Sequence, residues 1–230
     1  MGGKKNAASI GRSAILIAIG LVFSTVLFAI AGRLDWLEGW LLAGAVMVYM
    51  GGSAVMGIVR DPELIKERST AISSSRGIER AILIFVFVLC AAVIAVAALD
   101  AGRFRWSVMP VIVEALGWLL VLPALAFPMW VGMVNTFASA VVRVQKERGH
   151  HVIAEGPYRH IRHPMYAGTV LMGVGIPLAL GSWWALIPGV LWSVTFVLRT
   201  AQEDAALKRD LPGYAEYARK VRYRLMPGIW

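Results

Sequence analysis

Side chains able to do chemistry are concentrated in two polar segments of an otherwise apolar chain, residues 135–166 and 199–230. All four histidines fall in the first segment. There Pro164 begins a long uncharged run, and because proline favours the first position of a helix, His163 is predicted to cap that helix. The unpaired N–H groups of such a helix start attract a carboxylate or a phosphate. The alternative is that Arg162 and His163 only mark a membrane boundary, as basic residues often do.

The histidines do not predict a metal site. His160 and His163 are three positions apart, but Pro164 would break the helix needed to align them. Among the carboxylates only Glu155 has a ligand-like spacing to them, which falls short of a zinc or iron site. Cys90, the single cysteine, lies inside an apolar run and is interpreted as packing rather than as a reactive thiol. We therefore predict neither a metal site nor a disulfide.

The second polar segment opens with a charged pair, Arg199 and Glu203, which share one helix face at i,i+4. In one interpretation they form a surface ion pair that contributes little to stability. In the other, they lie at the membrane edge, face the helix start at Pro164 and hold a polar ligand half in lipid. The residues that follow, 213–230, are basic and aromatic, which is typical of an interfacial segment.

The elements that position these residues are predicted to span a membrane. Apolar residues make up 58% of the 230 residues and charged residues only 16%, against about 25% in a soluble domain. A soluble globule of this size would lack the polar surface to cover such a core. Abundant glycine and tryptophan suit helices packed in lipid. The composition excludes a collagen, a disordered tail and a small disulfide-rich secreted protein.

Uncharged stretches of about 18 or more residues predict transmembrane helices, and they occur at 13–32, 39–59, 81–99 and 115–142. The helices built on them are predicted at about 13–32, 36–59, 81–99 and 111–133. The fourth stretch continues to residue 142, and its end is expected to emerge as polar-facing helix. Residues 164–198 carry no charge and are interrupted at 181–184 by Gly-Ser-Trp-Trp, which predicts a tight helical hairpin. The predicted fold is an all-α integral membrane protein of six transmembrane helices. Residues 1–133 form an N-terminal helical part, and 134–230 form a catalytic region with the hairpin and a tail.

The distribution of positive charge predicts the orientation of the helices. With the N-terminus inside, all but three of the 23 lysines and arginines (Arg33, Arg103 and Arg105) fall on cytoplasmic segments, as the positive-inside rule requires. Both termini are therefore predicted to be cytoplasmic, in the plasma or inner membrane if the cell is bacterial. The net charge of +9 is attributed to attraction by anionic lipids, not nucleic acid. The first apolar run is longer than a signal-peptide core, which favours a retained first helix over a cleaved leader.

Taken together, the polar motifs resemble those of the isoprenylcysteine carboxyl methyltransferase family of integral membrane enzymes. The resemblance covers residues 135–230, and more loosely the helices before them. Phospholipid N-methyltransferases share much of the pattern, and membrane sterol reductases share a fainter version. The motifs that carry it are the hydrophobic hairpin, Arg199-x-x-x-Glu203, the tyrosine-containing basic tail and the run Gly156-Pro157-Tyr158-Arg159-His160-Ile161-Arg162-His163-Pro164-Met165-Tyr166.

The resemblance implies that S-adenosylmethionine binds in a cytoplasmic pocket closed by the C-terminal segment, and that a lipophilic acceptor enters from the bilayer. It also implies that Arg199 contacts the acceptor and pairs with its carboxylate if it has one. The family's acceptor-binding region upstream is too variable to transfer. The residues implied to contact the cofactor are Gln145, His150, His151, Val152, Ile153, Tyr158, His163, Pro164, Met165, Tyr166 and Glu203.

Methyl transfer from a sulfonium is an in-line displacement, so an enzyme mainly aligns the reacting atoms. The absence of a Ser/His/Asp triad, a phosphate loop or a metal motif is consistent with that chemistry. We predict a membrane methyltransferase acting on an isoprenylcysteine-like carboxylate or a related small molecule, with a phospholipid or amine N-methyltransferase as the alternative. An NADPH-dependent membrane reductase and a non-enzymatic membrane protein are less favoured. The expected partners are the lipophilic acceptor and membrane lipids, with no obligate protein partner.

Overall fold

The computed structural model describes residues 2–59, 77–138, 145 and 148–230, and over this part of the chain it is helical and contains no strand. A π-helical turn, Ala98–Phe104, extends the third helix, and a short 3-10 turn, Gly156–Arg159, precedes the fifth. The helices are α1 Gly2–Ala31, α2 Leu37–Val59, α3 Gly77–Ala97, α4 Val111–Val134, α5 Pro164–Ala179, α6 Leu186–Asp210 and α7 Tyr214–Lys220.

The all-helical fold predicted from the sequence is confirmed over the described residues. Three helical stretches there are long and apolar enough to cross a membrane: Ala14–Ala31, Gly77–Phe104 and Val111–Val134. The count of six spans stays a prediction, as does the division of the chain at residues 133 and 134. The polar-facing helix end expected up to residue 142 is wrong for residues 135–138, because α4 ends at Val134 and the Asn135 side chain accepts a hydrogen bond from the Phe137 N–H at 2.9 Å in the turn that follows. Residues 139–142 lie outside the described part.

Glycines allow the helices around α5 to approach closely, as small residues do in membrane bundles. A Cβ atom added to Gly189 of α6 would come within 2.0 Å of the Gly173 carbonyl oxygen of α5. A Cβ atom added to Gly117 of α4 would come within 2.3 Å of the Ala179 backbone nitrogen. Backbone therefore packs against backbone on both sides of α5, which holds α5 at a fixed position between α4 and α6.

The turn between α5 and α6 is tied to the end of α3. Asp100, which is fully buried, accepts hydrogen bonds from the Ser107 hydroxyl at 2.6 Å and the Ser182 hydroxyl at 2.6 Å. The Ser182 hydroxyl also accepts from the Ala185 N–H at 3.0 Å. The break predicted at 181–184 is thus a hydrogen-bonded turn. Because the far end of the hairpin is anchored, the opposite ends of α5 and α6 are held in register where the polar residues lie.

Candidate functional site

A pocket lies at the end of the bundle where α5 begins, α6 ends and α7 follows. Its wall combines the loop after α4, the extended residues before the 3-10 turn, the first turn of α5 and the last turns of α6. Its lining residues are Asn135, Phe137, Ala138, His150, His151, Val152, Ile153, Tyr158, Arg162, His163, Pro164, Met165, Tyr166, Glu203, Leu207, Leu211, Tyr214 and Tyr217.

The first turn of α5 presents an uncapped helix start to this pocket. Pro164 occupies the start of the helix and His163 its N-cap position, as the sequence predicts. No side chain caps the helix, and no acidic residue lies in its first turn. The helix start therefore keeps the partial positive charge that would attract an anion.

The hydroxyl of Tyr166 connects the pocket to a buried charged pair. It donates a hydrogen bond to Glu203 Oε2 at 2.5 Å and accepts one from Arg199 Nε at 3.1 Å. The Nη2 nitrogen of Arg199 forms an ion pair with Glu79, which lies in the first turn of α3. Arg199 is only 4% exposed, so the surface ion pair considered from the sequence does not describe it. This arginine lies behind Tyr166, next to the pocket rather than in its lining.

Asp204 is the centre of the ionic network beside the pocket. Its buried carboxylate accepts from Arg162 at 2.7 and 3.1 Å, from the Tyr214 hydroxyl at 3.1 Å and from Arg224 at 3.1 Å. Lys208, one turn further along α6, lies 2.8 Å away. A single carboxylate thus connects α6, the residue before the α5 cap and the C-terminal tail.

These contacts fix the protonation states of the network. Burial alone would raise the pKa of the Asp204 carboxyl, but hydrogen bonds from His163, Arg162 and the neighbouring cations outweigh it and hold that pKa well below its usual range. Burial and the nearby Asp204 carboxylate raise the pKa of the Tyr214 phenol. Asp204 is therefore charged and Tyr214 remains a hydrogen-bond donor near neutral pH.

The C-terminal segment packs against the pocket through backbone as well as side chains. The backbone N–H groups of Arg162 and His163 donate to the carbonyls of Tyr223 at 3.0 Å and Arg224 at 2.9 Å. In α7, the Tyr217 hydroxyl donates to a backbone carbonyl of the 3-10 turn at 2.7 Å. The tail therefore lies along the residues that precede α5, and its place at the membrane interface stays a prediction.

Gln145 supports the pocket wall without lining it. Its side chain is fully buried, donates to the Phe137 carbonyl at 2.8 Å and accepts from Arg148 at 2.7 Å. The Phe137 ring stacks on His150 with 4.6 Å between ring centroids. We interpret Gln145 as a residue that holds the Phe137–His150 stack in place. A role in contacting a cofactor stays a prediction.

Most of the residues implied by the resemblance come together in one place. The pocket brings together His150, His151, Val152, Ile153, Tyr158, His163, Pro164, Met165, Tyr166 and Glu203. Gln145 and Arg199 lie behind this lining. The sequence did not single out Asp204, Tyr214 or Glu79, whose partners are distant in the chain. Within the described residues, no group of three or more His, Cys, Asp or Glu side chains is placed to hold a metal ion.

Comparison with known proteins relates the chain to a family model and to a solved structure. The family model described as phospholipid methyltransferase matches residues 112–211. These residues run from α4 through the pocket to the residue after α6. The fold is similar to the solved structure of a eukaryotic intramembrane Ras methyltransferase, isoprenylcysteine carboxyl methyltransferase, with a TM-score of 0.54. That likeness covers 99% of this chain and 97% of the other at 14% identity, so it shows the fold alone. No curated protein sequence matches the chain.

Proposed function

We propose that this protein is a membrane methyltransferase that transfers a methyl group from S-adenosylmethionine to a lipophilic acceptor. The preferred acceptor is an isoprenylcysteine-like carboxylate or a related small molecule. The observation that carries this proposal is the hydroxyl of Tyr166, which contacts Glu203 in the pocket and Arg199 in the buried pair. A polar cofactor site and a membrane-side acceptor site would then meet at one tyrosine.

The residues of the pocket fit the parts of S-adenosylmethionine. The uncapped start of α5 at Pro164 suits the methionine carboxylate. Glu203, with about a quarter of its side chain exposed, can accept hydrogen bonds from the ribose hydroxyls or the ammonium group. Apolar lining residues such as Val152 and Leu207 suit the adenine ring. When bound, the cofactor supplies an activated methyl group on a sulfonium.

The protein's own part in such a reaction is alignment and exclusion of water. Since an in-line displacement requires the acceptor, the methyl carbon and the leaving sulfur to be collinear, positioning supplies most of the rate. The Tyr166 hydroxyl is fixed from two sides by Arg199 and Glu203, which defines the boundary between the two sites. The tail bonded to Arg162 and His163 would close the pocket against water.

Arg199 would position the acceptor. Its guanidinium is buried next to the pocket and follows an uncharged run of α6, so it lies on the side of Tyr166 that faces the apolar part of the hairpin. A carboxylate matches the planar guanidinium bidentately, which orients the attacking oxygen. A phospholipid or other amine is the second candidate acceptor, favoured by the phospholipid methyltransferase match over residues 112–211. A neutral amine requires no base and would use the same alignment.

The topology belongs to the same proposal. We propose six spans with both termini in the cytoplasm, because the sequence places all but three of its 23 lysines and arginines on that side. Reporter fusions at Gly102 and Trp230 should then report opposite sides of the membrane. Fusions that report the same side would contradict the six-span arrangement.

Ligand binding by the purified full chain tests the cofactor assignment. Isothermal titration in lipid nanodiscs should show binding of S-adenosylhomocysteine and none of NADPH. Binding of NADPH alone would favour a reductase site. A protein that binds neither ligand would contradict the proposed cofactor pocket.

A further inference from the structure

Arg199 and Glu79 form an ion pair whose two side chains differ in burial. Arg199 is 4% exposed, and its Nε is committed to the Tyr166 hydroxyl. The Glu79 side chain is 22% exposed and lies in the first turn of α3, at the rim of the bundle. The arginine is therefore the more deeply buried partner, and the glutamate is the partner nearer the surface.

The position of Glu79 matters for any anion that approaches Arg199. A buried arginine requires a negative partner, because an unpaired charge away from water is costly. Glu79 supplies that partner at Nη2, and Tyr166 contacts the adjacent Nε, so the two residues together occupy the Nε–Nη2 edge that could otherwise hold a carboxylate bidentately. A carboxylate that enters from the membrane side meets a neutralised arginine and, beside it, a like charge.

We propose that Glu79 is a specificity-determining residue that occupies the place on Arg199 which an acceptor carboxylate must take. This inference rests on the proposed function. With Glu79 in place, the charge of the Arg199 guanidinium is already balanced, so an uncharged acceptor does not compete with Glu79 for it. An anionic acceptor binds by displacing Glu79 from Arg199 towards the rim, which lowers its affinity below what a free guanidinium would give.

Substitution of Glu79 by glutamine separates this role from simple support of the fold. Glutamine keeps the shape of the side chain and a carbonyl oxygen for the arginine, but it removes the competing charge. If Glu79 only braced Arg199, glutamine would keep that contact and the variant would bind the carboxylate no more tightly than the wild type does. If Glu79 competes with the acceptor, the variant binds the carboxylate more tightly.

The experiment compares two probes that differ only in charge, N-acetyl-S-farnesylcysteine and its carboxamide. Their dissociation constants are measured by isothermal titration on the full chain in nanodiscs saturated with S-adenosylhomocysteine. Glu79→Gln should change the ratio of the two dissociation constants about tenfold, so that the carboxylate binds more tightly relative to the carboxamide. One neighbouring like charge produces an effect of this size. Glu79→Asp, which withdraws the carboxylate by one methylene, should shift the ratio in the same direction by a smaller factor.

Glu38→Gln is the matched control, because Glu38 is also an acidic residue in the first turn of a helix, α2, at the opposite end of the bundle. Its ratio should equal that of the wild type. Provided that S-adenosylhomocysteine still binds, three results would overturn the inference. They are an unchanged ratio of dissociation constants in both Glu79 variants, a change of that ratio in favour of the carboxamide, and no carboxylate binding by Glu79→Gln. Failure of the wild type to bind S-adenosylhomocysteine would overturn the proposed function, and this inference with it.

Discussion

Tyr166 donates a hydrogen bond to the Glu203 carboxylate over 2.5 Å. The two residues belong to different arms of the hairpin, α5 and α6, and are 37 positions apart in the chain. Their contact requires the two helices to be packed in one register, which the Gly173–Gly189 approach and the Ser182–Asp100 bond maintain. The polar site thus depends on packing in the middle and at the far end of the hairpin.

Loss of the Glu203 charge should weaken cofactor binding. Glu203→Gln removes a charged hydrogen-bond acceptor from the pocket, which should reduce the affinity for S-adenosylmethionine by about 1–3 kcal/mol. Isothermal titration of the folded variant measures the change. Glu216→Gln is the control, since Glu216 is an exposed residue of α7 paired with Lys220 at 3.3 Å. Wild-type affinity in the Glu203 variant would remove this residue from the proposed cofactor site.

Replacement of Arg199 by lysine should affect turnover more than cofactor binding. A lysine ammonium cannot reproduce the planar contact with a carboxylate or the bond to Tyr166. With a carboxylate acceptor, turnover should fall by up to about 100-fold, since a misplacement of about 1 Å can cost that much. Cofactor affinity should change little. A parallel loss of cofactor binding would mean that Arg199 organises Glu203 and does not position the acceptor.

Removal of the Asp204 charge should release the C-terminal segment. Asp204→Asn leaves Arg162 without its buried carboxylate partner, which should destabilise the folded protein by about 3 kcal/mol. Thermal unfolding measures the loss, and trypsin should cut the variant faster within residues 219–224. Asp210→Asn, at an exposed pair with Arg209, is the control and should change stability by less than about 0.5 kcal/mol.

The pH dependence of this effect follows from the lowered pKa of Asp204. A carboxyl whose pKa is lower in the folded state contributes stability that is present above its unfolded value of about 3.9 and is lost as pH falls through the folded value. The stability difference between wild type and Asp204→Asn should therefore stay constant between about pH 5 and pH 8. A difference that disappears within that window would contradict the assigned network.

Gly189→Ala tests the packing of the hairpin. The added Cβ would lie 2.0 Å from the Gly173 carbonyl oxygen, a backbone atom that cannot move aside without separating α5 from α6. Overpacking of this kind costs about 1–3 kcal/mol, which exceeds the gain of up to about 1 kcal/mol from helix propensity. Thermal unfolding should show destabilisation. Gly44→Ala in α2, where a Cβ meets nothing within 4 Å, should be neutral or slightly stabilising.

Local features of the site could be predicted from the sequence. Pro164 begins α5 and His163 is its N-cap residue, because proline fixes its own φ angle and lacks the N–H that a helix start leaves unpaired. The break at residues 181–184 was also evident, because Gly-Ser-Trp-Trp interrupts an uncharged run. Both features depend only on neighbouring residues.

Long-range partners could not be predicted in the same way. Glu79 contacts Arg199 across 120 positions, and nothing in the local pattern of either residue indicates the other. Asp204 stands next to Glu203 in the sequence, yet only the path of the tail brings Arg224 and Tyr214 to it. The i,i+4 spacing of Arg199 and Glu203 correctly indicated a shared face, but the burial of that face depends on α3 and α5.

Transfer of a labelled methyl group tests the central claim most directly. The purified full chain is incubated with S-adenosylmethionine carrying a deuterated methyl group and with a native lipid extract, and the lipids are analysed by mass spectrometry. We predict a lipophilic product that carries the label, forms together with S-adenosylhomocysteine, and is formed more slowly by Glu203→Gln at a cofactor concentration below saturation. A wild-type protein that binds the cofactor but gives no labelled lipid, or labels only water-soluble molecules, would contradict a methyltransferase acting on acceptors from the membrane.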